Sequence, residues 1–212
     1  GVKKKLVDAG FDESGLFVVG AGVDSEFIAK VKASESDKFE ACFVGRLTPT
    51  KGIFYLPKIW ASVVDKIPYA RIAVIGSSDK YWTERLKKRI ESANLSNNIL
   101  LLGFLSEEKK ISIMKSSKIF LSLSYEEGWG MSINEALACG LPAVVWDLEV
   151  YKQIFKDFIL TVPVGNAKAF SDAVLHLLTN RRLRERMVTN ALKIARLYSL
   201  DSLAEKELKL IT

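Results

Sequence analysis

Two carboxylates and two cations carry the most chemistry in this sequence. Glu127 and Glu135 stand eight positions apart in SYEEGWGMSINEALACGLP, residues 124–142; Arg46 and Lys51 stand five apart in VGRLTPTKG, residues 44–52. An ionised carboxylate only accepts hydrogen bonds and offers two oxygens, which suits the paired hydroxyls of a sugar or ribose. Arginine presents a planar fork to two phosphate oxygens, and lysine adds a mobile point charge. The four residues together describe a sugar nucleotide, with hydroxyls at both ends and a pyrophosphate between.

Gly128 and Gly130 disfavour helix before about Met131, so Glu127 belongs to a loop and Glu135 to the first helical turn. A helix N-terminus has free backbone N–H groups and positive dipole character, a natural seat for phosphate. Each residue also has a plainer reading. Ser132-Ile133-Asn134-Glu135 fits a capping box, in which the glutamate would reach back to the cap residue's N–H. Arg46 and Lys51 could be ordinary exposed loop cations, and Glu126 reads as a solvated neighbour. The first loop is not a P-loop, because Gly52 and not Ser or Thr follows Lys51 and no second glycine precedes it. The second loop, VIGSSDKYW, keeps Gly76 where a backbone could approach a phosphate but lacks G-x-G-x-x-G spacing, which disfavours a nicotinamide or flavin site.

Six short apolar runs must position these groups: FEACFVG ending at Gly45, RIAVIG at Gly76, NILLLG at Gly103, IFLSLS at Ser124, PAVVW at Trp146 and FILTV at Val162. Their near-continuous hydrophobicity fits strands buried on both faces. Helical patterns over 52–66, 81–93, 107–116 and 133–139 separate most of them, which predicts right-handed crossovers and an α/β, Rossmann-like, doubly wound parallel sheet of about six strands. Ligands of such sheets bind at the carboxyl ends of the strands, so Gly45, Gly76, Gly103 and the 124–130 loop share one edge. Extra C-terminal helices are expected over about 167–178, 181–198 and 202–210. Upstream, GLFVVGAGVDSEFI reads as a short strand and a glycine-rich turn, followed by a polar linker. The implied division is 1–35 as entry segment and hinge, 36–165 as the nucleotide-binding domain and 166–212 as covering helices. The chain opens on Gly1 inside a helical pattern, which reads as an excised piece of a longer protein.

The 212 residues suffice for a substantial core, and no apolar run approaches the ~18 residues of a membrane span. Cys42 and Cys139 lack metal spacing and are too few for a disulfide framework, so a reducing cytoplasm is the expectation. The net charge of +6 leaves room for peripheral contact with an anionic membrane; the densest basic run, RRLRERM at 181–187, mixes both signs and argues against nucleic acid. His176, in AFSDAVLHLLTN, reads as a structural helix residue.

GRLTPTKG, LLGFLSEEKKISIMKSSKIFLSLS and EEGWGMSINEALACGLPAVV, in that order, resemble the C-terminal half of group 1, family 4 retaining glycosyltransferases of GT-B fold, over about residues 39–164. The resemblance implies that Glu127 contacts donor-sugar hydroxyls and Glu135 the ribose. It implies that Arg46 and Lys51 hold the diphosphate and offset the leaving group's charge without a metal. Gly45, Gly76, Gly128, Trp129, Gly130 and Met131 would line sugar and phosphate, and Phe104 and Leu105 would border the base. GAGVD, residues 20–24, is similar to the family's hinge, where the chain leaves an N-terminal acceptor-binding domain. Ser78 departs from the family's usual second glycine and puts the backbone phosphate contact at Gly76 in doubt; Trp129 for phenylalanine is conservative. The implied partner is a nucleotide-diphosphate sugar, and the isolated domain should bind it with scarcely any transfer. Two other classes remain: a noncatalytic sugar-nucleotide sensor or regulatory subunit, and a polyanion-binding module, which leaves the glutamate pair unexplained.

Overall fold

A computed structural model describes residues 2–211. Six strands form one sheet: β1 (Phe39–Val44), β2 (Ile72–Ile75), β3 (Ile99–Gly103), β4 (Ser117–Ser122), β5 (Ala143–Trp146) and β6 (Leu160–Val162). Their order is β3-β2-β1-β4-β5-β6 and every pairing is parallel, the doubly wound arrangement that the apolar runs predict. The order reverses between β1 and β4, where Ala41 sits opposite Ile119. At that switch point the following chains run to opposite faces and leave a crevice at the carboxyl edge.

Alternation along the strands decides which helices pack where. Ala41, Phe43, Ile72, Val74, Ile119 and Leu121 face one layer, which is made by α3 (Leu56–Val64), α4 (Lys80–Ser92) and α8 (Ala167–Thr179). Cys42, Ala73, Ile75, Phe120, Ala143 and Val145 face the other, which is made by α5 (Glu107–Lys115), α6 (Met131–Ala138) and α9 (Arg181–Leu197). With a helix layer on each face, most strand positions are apolar, and the sequence loses its polar alternation. α8 and α9 belong to this core: Phe170, Val174 and Ala191 are fully buried. Between β5 and β6 lies α7 (Glu149–Ile154), a short helix that the apolar spacing does not announce. The fourth strand runs over 117–122, earlier than the IFLSLS run suggests, because Leu123 and Ser124 already turn into the loop.

The entry segment differs from expectation. After α1 (Val2–Asp8), residues 16–22 form no strand, Gly20 turns the chain at a φ of +108°, and Phe17 and Val18 are 61% and 67% exposed. A strand needs a ladder partner, and among the described residues this segment has only the single bridge of Val23 to Ser199. Asp24 then accepts the Phe27 N–H at 2.8 Å and starts α2 (Ser25–Lys30). The Lys115 ammonium donates to the carbonyls of Ile28 and Val31 and closes the other end of α2. α10 (Leu200–Ile211) completes the chain.

Two glycines hold the crevice together. A Cβ on Gly52, at φ +64°, would lie 1.8 Å from the Leu123 carbonyl oxygen, and one on Gly76, at φ +135°, 2.0 Å from that of Gly45. The loop after β1 therefore presses directly on the loop after β4. Gly52→Ala is expected to cost about 2–4 kcal/mol in urea unfolding, whereas Gly128→Ala, with open space around it, should stay within about 0.5 kcal/mol of the parent.

Candidate functional site

The crevice at the switch point contains a cavity of about 340 Å³ lined by Val44, Gly45, Lys51, Lys110, Glu127, Trp129, Gly130, Met131, Ser132 and Glu135. The loop after β1 contributes Lys51, held in place where the Tyr125 N–H donates to the Thr50 carbonyl at 3.0 Å. Across this seam Lys51 Nζ meets Glu127 Oε1 at 2.5 Å, both side chains mostly buried. The two residues read from separate motifs are thus direct partners. Arg46 is exposed, outside the cavity lining, and has no side-chain partner among the described residues.

α6 begins at Met131 behind Gly130, whose φ of +97° turns the chain and which makes no side-chain cap. Every backbone N–H from Glu126 to Ser132 lacks an intramolecular acceptor among the described residues. With the α6 dipole behind it, this run of donors offers an oxyanion several hydrogen bonds at once. Glu135 lies one turn deeper than the sequence suggests, in the second turn of α6. Its Oε1 accepts from Lys110 Nζ at 3.1 Å, so the capping-box geometry is not formed.

Lys110 is the charged cavity residue that sequence reasoning missed. Its ammonium also donates to Glu107 Oε2 at 2.6 Å. Burial works against the lysine's charge, but its two carboxylate partners outweigh burial and raise its pKa. For Glu135 burial dominates, Lys110 opposes it only in part, and Glu107 adds like-charge repulsion, so the pKa rises above the ordinary carboxyl range. A signal was present: Lys110 precedes Ile111 and stands four residues before Met114, on the stripe of α5 that faces the core.

The remaining predicted residues divide. Gly76 donates its N–H to Gly103 at 2.8 Å and Gly45 donates to Ile75 at 3.0 Å, so neither backbone donor is free for a phosphate. Gly76 is a glycine because of its close approach to Gly45. Phe104 is 82% exposed and Leu105 half-buried, both outside the cavity lining. Gly128 and Trp129 border a second groove of about 1000 Å³, alongside Val18, Gly20 and Tyr198. Trp129 packs edge-on against Tyr198, centroids 5.1 Å apart. His176 lies on α8, away from the cavity, and no group of three or more potential metal ligands occurs among the described residues.

Fold and cleft define a Rossmann-like α/β domain, one half of a GT-B architecture, with an edge that can read anions and hydroxyls. The sequence profile of the glycosyl transferases group 1 matches residues 24–194, and the chain belongs to that family. Poly(glycerol-phosphate) alpha-glucosyltransferase of Bacillus subtilis is 28% identical over 167 residues, 77% of this chain and 24% of its own length. Phosphatidyl-myo-inositol mannosyltransferase of Mycobacterium leprae is 29% identical over 168 residues, 77% of this chain and 44% of its own. The chain thus spans less than half the length of these relatives. Among solved structures, HepE of Anabaena in complex with UDP and glucose has a TM-score of 0.86 at 18% identity, covering 99% of this chain and 60% of its own. The pneumococcal O-GlcNAc transferase GtfA in complex with UDP and GlcNAc has a TM-score of 0.74 at 22% identity, covering 90% and 38%. No helix of the described residues is long and apolar enough to cross a membrane.

Carbon-13 titration of the glutamate side chains tests the electrostatics. Glu135 is expected to protonate above the ordinary midpoint of about 4.3, and Glu84, hydrogen-bonded to Lys87 on the exposed face of α4, below it. A Glu135 midpoint at or below that of Glu84 would mean that burial does not dominate at this carboxylate.

Proposed function

We propose that this chain is the donor-binding domain of a retaining, family 4 glycosyltransferase, which moves a sugar from a nucleotide diphosphate to an acceptor. The observation that carries the proposal is the meeting of Lys51 and Glu127 at the switch-point cavity, beside Glu135 and the unpaired N–H run that begins α6.

The ends of a donor match the ends of the cleft. A diphosphate would take the free N–H groups of Glu126–Ser132, with Gly130 and Met131 at the start of α6, and Arg46 as a mobile clamp. Lys51 has three donors and commits one to Glu127, so it can hold a phosphate oxygen without releasing the carboxylate. That arrangement would tie the glutamate that receives the sugar's hydroxyls to the cation that receives the leaving group. As the glycosidic bond breaks, negative charge grows on the diphosphate, and Arg46, Lys51 and the α6 terminus would stabilise it; this reading needs no metal. Glu135 would accept from the ribose. Phe104 and Leu105 would border the base from the end of β3, although both stand outside the cavity.

An N-terminal domain carrying the acceptor site would face the exposed Phe17 and Val18 and the groove beside Trp129. Without it the domain would bind donor and transfer scarcely any sugar. The net charge of +6 and the exposed Arg181, Arg182 and Arg186 on α9 keep peripheral contact with an anionic membrane, at the cytoplasmic side, within the proposal. UDP is the first nucleotide to try, because the HepE and GtfA structures hold it.

Isothermal titration calorimetry with UDP, GDP, ADP and their sugar conjugates is expected to give binding by at least one series. Lys51→Ala and Arg46→Ala should each weaken it by about tenfold, the scale of one charge-assisted hydrogen bond. A folded sample that binds none of these nucleotides overturns the proposal.

A further inference from the structure

The donor reading gives Arg46, Lys51, Glu127 and Glu135 their tasks and leaves Lys110 without one. Yet its side chain is only 11% exposed, and it bridges Glu135 to the 69% exposed Glu107 at the rim of α5. Ile111, Ile113 and Met114 bury α5 against the sheet, so the lysine stem starts from a fixed backbone.

We propose that Lys110 is a positioning residue for ribose recognition: it grips Glu135 Oε1 from the α5 wall of the donor cavity, so that Oε2 faces the ribose hydroxyls as an ionised acceptor. The inference rests on the donor reading of the cleft.

Two observations support it. The bond from Lys110 takes one named oxygen, and the other has no intramolecular partner among the described residues although the carboxylate lines the cavity. A carboxylate held at one oxygen is fixed in rotation about its terminal torsion, and its second oxygen has a defined direction. Among the described residues Lys110 is also the one cation that pairs with it. Glu107 and Asp24 border a small cavity of about 150 Å³ on one side of Glu135, Cys139 follows one turn later on α6, and Lys51 and Glu127, across the donor cavity, are paired with each other.

The sign of the pH effect follows. Desolvation raises the carboxyl's pKa and Lys110 opposes the rise, so removing the lysine lets it climb further. A protonated Glu135 loses an acceptor for the ribose. Affinity for a ribonucleotide should therefore fail at a higher pH without Lys110 than with it.

The test measures binding of UDP, or of whichever nucleoside diphosphate the parent binds, between pH 5 and 8, with inorganic pyrophosphate as a probe that has no ribose. Lys110→Met is expected to weaken the nucleotide about tenfold at pH 7 and to move the acid limb of binding up by about one unit. Pyrophosphate binding should not change. Lys110→Arg should restore both the affinity and the limb, and Lys110→Met on a Glu135→Gln background should cost nothing more. Lys110→Gln, which keeps a hydrogen bond but no charge, is read in parallel so that the outcome does not depend on the folding of one variant. Nucleotide affinity and acid limb unchanged in both neutral variants would overturn the inference while leaving the donor reading intact. An equal loss of pyrophosphate binding would overturn it too, by making Lys110 a phosphate cation. A parent that binds no nucleoside diphosphate overturns the donor reading and this inference with it.

Discussion

The structure depends on one constraint, the reversal of strand order between β1 and β4. Chains leaving a parallel sheet in opposite directions cannot fill the space between them, so a crevice opens there whatever the side chains are. What this sequence adds is a floor. Gly52 lets the first loop lie against the Leu123 carbonyl, and Tyr125 binds the Thr50 carbonyl, so two segments far apart in sequence become one wall. The meeting of Lys51 and Glu127 is a consequence of that seam and would be lost with it.

Inside the crevice the charges come in pairs. Lys51 with Glu127 and Lys110 with Glu135 are each mostly buried, and removing one partner of such a pair would leave the other charge uncompensated. Pairing balances formal charge in a partly dry site, while the backbone donors of 126–132 supply attraction for an anion without adding a formal charge. Arg46, exposed and unpartnered, is the one predicted cation able to change position at little cost.

Much of the fold was legible because burial on both faces erases polar alternation: the six apolar runs map onto the six strands, with the fourth displaced by the start of its loop. The segment 16–22 misled because strand composition describes a preference, and a strand also needs a neighbour. At the site, Glu127, Lys51, Gly130, Met131 and Glu135 come together as their spacing suggested. Spacing could not show that Gly76 and Gly45 spend their N–H groups within the sheet, because that depends on strand register. Nor could it choose between a cap and a ligand role for Glu135. The Ser132-to-Glu135 pattern is local, whereas the interaction that holds Glu135 comes from Lys110, on another helix and 25 residues away in sequence.

Trp129 stands between the switch-point cavity and the larger groove, and the space a side chain at residue 20 would need is already filled by its indole: a Cβ there would lie 2.7 Å from the ring. On its other flank the ring meets Tyr198, and the isolated Val23–Ser199 bridge brings residues 20–23 and 198–199 together beside it. Asn134 of α6 donates to the carbonyl of Tyr198 and so fastens the same crossing. The loop that presents Glu127 is consequently wedged against the crossing of residues 20–23 with residues 198–199. A one-carbon addition at residue 20, which lies outside the cavity lining, would shift that wedge and with it the shape of the cavity.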